Sequence, residues 1–218
     1  MTIVTFPSLP MPNGLQRLPS SATLRLMAAT QSSESPFDGS VQTIAMPGAK
    51  WHAVLTWPPM PPDVWRVLQA FVTRLGGRAG RFRYTHPMTW RRSPTPVLSL
   101  GAPVVSGGGQ SGATLVTAGW TASTALFKAG DFCSFVDPAG RDRLHQVLAD
   151  VSSNGSGAAT LSIAPPLRTP PASGVAIECA APKAVWMLAS DDQGDFGQMA
   201  ASGGARASVS LEIIEALV

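Results

Sequence analysis

The residues of this chain with the clearest chemical potential are a glycine-rich run, three histidines, a cluster of acids and a band of arginines. Gly107, Gly109 and Gly112 satisfy GxGxxG after the apolar Pro103-Val104-Val105, and Asp131 follows about 20 residues later. A dinucleotide site requires a helix to start at that turn, because the helix N-terminus holds the pyrophosphate. Thr114, Val116, Thr117, Gly119, Thr121 and Thr124 follow instead, a run suited to strand. The expectation is a hairpin or linker with no cofactor. Ser111 in Gly109-Gln-Ser111-Gly-Ala113 lacks the last glycine of a GxSxG elbow and its strand-to-helix context, so no nucleophile is assigned.

His52, His86 and His145 show no HxH or HExxH spacing, so no metal site is expected, and His52 and His145 read as bonded or solvent-facing strand histidines. Asp191, Asp192 and Asp195 form an acid cluster that a glycosidase-type pair would need, but in a Gly/Gln-rich loop they read as solvated turn residues. No catalytic residue is assigned and the chain is read as a non-enzyme. Cys133 and Cys179 lie far apart with no CxxC, which supports neither zinc nor a disulfide framework.

The strongest polar signal is basic. Lys50, Arg66, Arg74, Arg78, Arg81, Arg83, Arg91 and Arg92 face one acid, Asp63, between positions 50 and 92. Phe82 and Tyr84 interleave with the arginines, as in strands that track a phosphate backbone. The remaining eight bases face twelve acids, so the net charge is only +3. A subunit interface is the preferred reading for Arg66, Arg74, Arg78, Arg81, Arg83, Arg91 and Arg92, since arginine is enriched where protein surfaces meet. Six Trp against one Tyr are read as large apolar anchors, some of them at interfaces.

The elements that must position these groups are short. Of the 218 residues, 21 are Gly and 20 Pro, while charged residues make up 13% against about a quarter in ordinary domains, which points to a turn-rich, mainly β chain. No apolar run reaches the ~20 residues of a membrane span, and Met1–Pro12 lacks the pattern of a signal peptide; the chain reads as soluble and made in the cytoplasm. Residues 1–20, with four prolines, read as an extended surface arm of the kind that reaches a neighbouring subunit. Alternating strands are expected over 22–27, 41–46 and 51–57. Pro61-Pro62-Asp63 opens a helix, Val64, Leu68, Phe71 and Leu75 recur on one face, widened by Trp65 and Val72, and Gly76-Gly77 closes it, giving 62–75. Residues 97–180 read as a separate small β module, its strands ended by Pro165-Pro166 and Pro170-Pro171. Strands near 184–189 and 207–214 then return to the first sheet.

Ser40-Val-Gln-Thr-Ile-Ala-Met-Pro-Gly-Ala-Lys-Trp51, Leu75-Gly-Gly-Arg-Ala-Gly-Arg-Phe82 and Gly109-Gln-Ser-Gly-Ala-Thr-Leu-Val-Thr-Ala-Gly-Trp120 carry a further signal. With Leu126–Asp131, Leu144–Asp150 and Ala158–Arg168, this series resembles the distal tail or tail-tip structural proteins of long-tailed, siphovirus-like bacteriophages, over roughly residues 36–190. The resemblance implies a mainly β fold, a tail-tube-like β-sandwich flanked by one α-helix with an inserted small β-barrel or sandwich. It divides the chain into an arm and first strand (1–35), a ring-forming sandwich (36–96), a peripheral insert (97–180) and returning strands (181–218). It further implies a homo-oligomeric, hexameric ring in the virion tail tip, assembled in the host cytoplasm. The ring would join the tail tube protein to the baseplate hub and other tail-tip proteins, with transient passage of DNA and no membrane. A second expectation is a carbohydrate-binding module in 97–180 for host recognition, with Trp120 as its contact platform.

Overall fold

The structure, a computed structural model, describes residues 2–9, 17–90, 100–199 and 206–217. In chain order its strands are β1 (Ile3–Thr5), β2 (Ser21–Met27), β3 (Thr30–Glu34), β4 (Val41–Ala45) and β5 (Lys50–Met60), before the helix α1 (Pro62–Leu75). After β6 (Arg81–Tyr84) come β7 (Gly101–Val105), β8 (Gly112–Trp120), β9 (Ala125–Phe127), β10 (Phe132–Val136), β11 (Asp142–Val147), β12 (Val151–Ser152), β13 (Ala159–Leu167) and β14 (Ile177–Glu178). The chain closes with β15 (Ala184–Leu188), β16 (Gly197–Met199) and β17 (Arg206–Glu215). Over the described residues the fold is mainly β with a single α-helix and several sheets.

The first sheet has the order β1-β6-β15-β17-β5-β2, with β16 also on β17; β1 runs parallel to β6 and the other pairs are antiparallel. Its pattern is strict. Trp51, Ala53, Leu55 and Trp57 of β5 and Ala207, Val209, Leu211 and Ile213 of β17 alternate inward, as period-2 strands with one buried face must. Helix α1 covers that face with Val64, Trp65, Leu68, Phe71, Val72 and Leu75. Its end is set locally: Gly76 adopts the left-handed conformation (φ 61°, ψ 49°), which a Cβ disfavours. At the sheet's far ends, β2 meets the 3-10 turn Pro87–Thr89 that follows β6, so the sheet curls nearly into a barrel.

The arm does not lie loose on the surface. Ile3–Thr5 pairs with Arg81–Arg83, and Phe6 inserts among Trp57, Phe71, Phe82 and Tyr84, with centroid distances of 4.7–6.0 Å. Leu9 is 2% exposed. Phe6, half-buried, packs against this chain's own core, which corrects the expectation of an arm free to reach a neighbour over residues 2–9.

All strands of the second sheet, β14-β10-β11-β13-β8-β7, lie within residues 101–178. β10 reads Phe-Cys-Ser-Phe-Val and its first four residues are buried, because the strand is covered on both sides. Cys133 and Phe135 join the second core, while Phe132 packs on Trp51 of the first at 5.4 Å. Pro165-Pro166 does not end β13. The strand runs to Leu167, and its register against β8 shifts between Ser162 and Leu167, a break in the ladder where residues lacking an N–H are tolerated.

Candidate functional site

The expected interface arginines separate into four situations. Arg66 and Arg74 lie on the exposed side of α1, Arg66 with its guanidinium 5.6 Å from the Trp65 ring centroid. Arg78 and Arg81 sit at the glycine turn after the helix. The Arg78 amide donates to Asp191 Oδ1 at 2.8 Å, so this loop acid caps a turn, and Arg81 Nη1 donates to the carbonyls of Arg78, Ala79 and Gly80. Burial, then the neighbouring Arg78 charge, lowers the Arg81 pKa. Arg83 points elsewhere: its Nε donates to Asp142 Oδ2 at 2.5 Å and its Nη2 to Gly140 O at 2.9 Å. It therefore ties β6 to the second sheet of its own chain. Arg91 and Arg92 lie outside the described residues.

Trp120 corrects a second expectation. It is 5% exposed, stacks edge-on against Phe127 at 5.5 Å and donates from Nε1 to Thr117 Oγ1 at 2.7 Å. Simple alternation from buried Leu115 and Thr117 would turn it outward. Gly119, at φ +82° and against the carbonyl of Ala102, resets the alternation at a bulge between β7 and β8, and the indole swings into the core. Trp51, Trp57, Trp65 and Trp186 are also buried, so among the described tryptophans Trp90, 44% exposed, alone resembles a surface anchor.

The other singled-out groups serve the fold. Gly107–Gly112 is the β7–β8 hairpin, fastened by Gln110, whose Nε2 donates to Ser106 and Gly107 carbonyls and whose Oε1 accepts from the Val116 amide. His52 Nε2 pairs with Glu212 Oε1, and Arg25 Nε donates to His52 Nδ1 at 3.3 Å. His145 stacks flat on Phe135 and bonds through Nδ1 to Pro165 O at 2.8 Å; burial pulls its pKa down to about 4, so it is neutral and Nδ1 carries the proton. His86, 1% exposed, is lowered to about 4 by the same cause. The ladder that puts Ser134 opposite Glu178 continues to Cys133 and Cys179, both reduced thiols buried in one core, a juxtaposition that their separation in sequence conceals.

Three features remain that could meet something outside the chain or hold its parts together. The first is a hairpin. β3 and β4 pair only with each other, and all their residues are exposed. The segment read as a sandwich strand over 41–46 thus stands off the first sheet as an extension of the β2–β5 pair, displaying Val41 (61%), Ile44 (64%) and Met46 (48%). Its tip is ordered by its own bonds: Ser35 N to Ser40 O, Gly39 N to Ser35 O, and Ser40 N and Oγ to Asp38 Oδ1. The Ser35 hydroxyl, then the Ser40 amide and hydroxyl, hold the Asp38 carboxyl down to about 2. Between them Phe37 stands 97% exposed. A large aromatic inside Ser-Pro-Phe-Asp-Gly-Ser was the available sequence signal.

The second is a cleft of about 620 Å³ at the seam where the curled sheet nearly closes. Phe6, Leu9, Leu18, Trp57, Tyr84 and Trp90 supply its apolar wall, and its charged lining residues are Arg17, Arg83 and Lys183, with no acid. Arg17 Nε and Trp57 Nε1 are buried there without a hydrogen-bond partner among the described residues. The third is a buried ionic network between the sheets. Asp137 accepts from Arg141 and Arg143; Arg143 donates onward to the carbonyls of Ala216 and Leu217; Arg168 pairs with Glu215. Burial raises the Asp137 pKa, but the Arg141 amide and the Arg143 and Arg141 guanidinium groups outweigh it and hold the carboxyl below its ordinary value. This network is closed on itself, so the hairpin and the cleft are the features that face outward.

Among the described residues no helix is long and apolar enough to cross a membrane. No protein-family model matches the chain, and no curated protein matches it in sequence.

Proposed function

We propose that the protein is a structural, non-enzymatic component of a long-tailed bacteriophage tail tip, and that its activity is self-assembly into a closed ring between the tail tube and the baseplate hub. The β3–β4 hairpin carries this reading. A lone two-stranded hairpin is marginal in water, and this one adds four exposed apolar side chains, Phe37, Val41, Ile44 and Met46, that nothing among the described residues covers. Such an element is stabilised when another subunit covers it.

Closure into a ring requires two different complementary surfaces on each copy. The hairpin is one. The low charge content also suits a surface largely covered by neighbours. The identity of those neighbours, the tail tube protein, the hub and other tail-tip proteins, rests on the sequence resemblance. The glycan-binding alternative has lost its platform with the burial of Trp120.

Two-dimensional averages of the purified protein, together with mass spectrometry of virion tails, test the reading. Closed rings and presence in tails are expected. A protein that stays monomeric at all concentrations and is absent from particles overturns it.

A further inference from the structure

We infer that the Phe37 tip of one copy seats in the seam cleft of the next copy, and that this head-to-tail contact is the bond from which the ring is built. The inference rests on the self-assembly reading above and names the two surfaces it needs.

The tip and the cleft match in shape class. Phe37 is an aromatic ring almost wholly in water, presented on a loop already fixed by its own hydrogen bonds, so little ordering entropy is lost on docking. The cleft is an aromatic-lined concavity within the range of about 300–1,000 Å³ that small ligands use, more than one side chain needs. Aromatic rings pack favourably on such walls beyond the area they bury.

They also match in charge. From Ala28 to Ala49 the hairpin carries Glu34 and Asp38 and no base. The cleft carries Arg17, Arg83 and Lys183. Asp142 already answers Arg83, which leaves Arg17 and Lys183, among the described residues, as two cations for two acids. The Arg17 Nε, without a partner among the described residues, gives a donor inside the cleft. Complementary charges of this kind fix orientation and partner choice.

A chain does not reach its own cleft. The hairpin is rooted at the Lys50 end of β5 and Trp57 marks the cleft end, so about 23 Å of strand lies between them. The hairpin arms are five residues, about 17 Å, and would have to fold back over β2 and β5. Donor at one end and acceptor at the other make the contact heterologous, the type that closes into a ring when the rotation between copies permits.

The test uses the full chain and sedimentation velocity over a wide concentration range. Phe37→Asp removes the tip, and Leu18→Glu with Lys183→Glu spoils the cleft. All three residues are exposed, so thermal melts should match the wild type. Each variant alone is expected to raise the half-assembly concentration at least about tenfold. Mixed in equal amounts, the two variants should form a dimer and stop there, because one intact tip meets one intact cleft. Cysteines placed as Phe37→Cys and Leu18→Cys in one chain should oxidise into linked ladders between chains. Wild-type rings that Phe37→Asp leaves intact overturn the docking but keep self-assembly. A mixture that gives no dimer, or cysteines that link within one chain, also overturns the docking. A wild type monomeric throughout overturns both readings.

Discussion

Arg168, which follows the last residue of β13, and Glu215, the last residue of β17, form a two-pronged ion pair, Nη1 to Oε1 at 3.1 Å and Nη2 to Oε2 at 3.2 Å. The Glu215 side chain is wholly buried, and it also accepts from the Trp51 amide at 3.3 Å. Arg168 continues to the Ala49 carbonyl at the foot of the projecting hairpin. One pair thus connects the second sheet, the closing strand of the first and the root of the hairpin.

Removing one partner leaves a buried charge without its answer. Arg168→Met is expected to cost about 3 kcal/mol in urea unfolding, since breaking a buried pair typically costs 3–5 and Arg143, 3.9 Å from Oε1, remains nearby. Arg168→Met combined with Glu215→Leu should cost less than the sum of the two single changes, because the double variant no longer leaves one member of the pair charged without the other. Strict additivity would show the pair to be energetically idle.

Acid should destabilise the protein in two windows. His86 and His145 have folded pKa values near 4 against about 6.5 when unfolded, so between these values the unfolded chain binds more protons and stability falls as pH drops. Asp137, held below its ordinary value, adds a second loss as pH falls below about 4. NMR titration of the imidazoles checks the first window: the His86 and His145 C2 protons should have the midpoints of their shift changes near pH 4, well below the ordinary value of about 6.5.

The facing thiols should be inert in the native protein. Cys133 is wholly buried; burial first, and then the neighbouring Cys179, raise its pKa to about 12, so almost no thiolate exists at neutral pH. Ellman's reagent at pH 8 should label neither cysteine until the chain unfolds, and both should then react together. Prompt labelling of Cys133 in the native state contradicts this packing.

Trp120→Ala should act on stability. A buried Trp replaced by Ala leaves a cavity that costs about 3–5 kcal/mol, here increased because the buried Thr117 Oγ1 loses the indole N–H it accepts from. Calorimetry should show a lower melting temperature, with the inserted sheet unfolding first. A melt identical to the wild type would mean that the indole is not in the core.

The sequence by itself determined what local chemistry determines. Helix 62–75 was legible from end to end because its apolar spacing, its opening prolines and its closing glycines all act within one or two turns. The mainly β class and the alternation of β5 and β17 were legible for the same reason: a period of two is a property of neighbouring residues. Tertiary structure decided everything that depends on which distant strand lies alongside. It brought Cys133 to Cys179, turned Trp120 inward through a bulge against β7, drew Phe6 into the core through a parallel pairing with β6, and spent Arg83 on Asp142. It also left residues 41–45, whose pattern equals that of a core strand, paired only to β3 and bare on both faces. A strand's sequence specifies that it has two faces; what covers each face is set by register and by curl of the sheet, and both are decided by contacts tens of residues away.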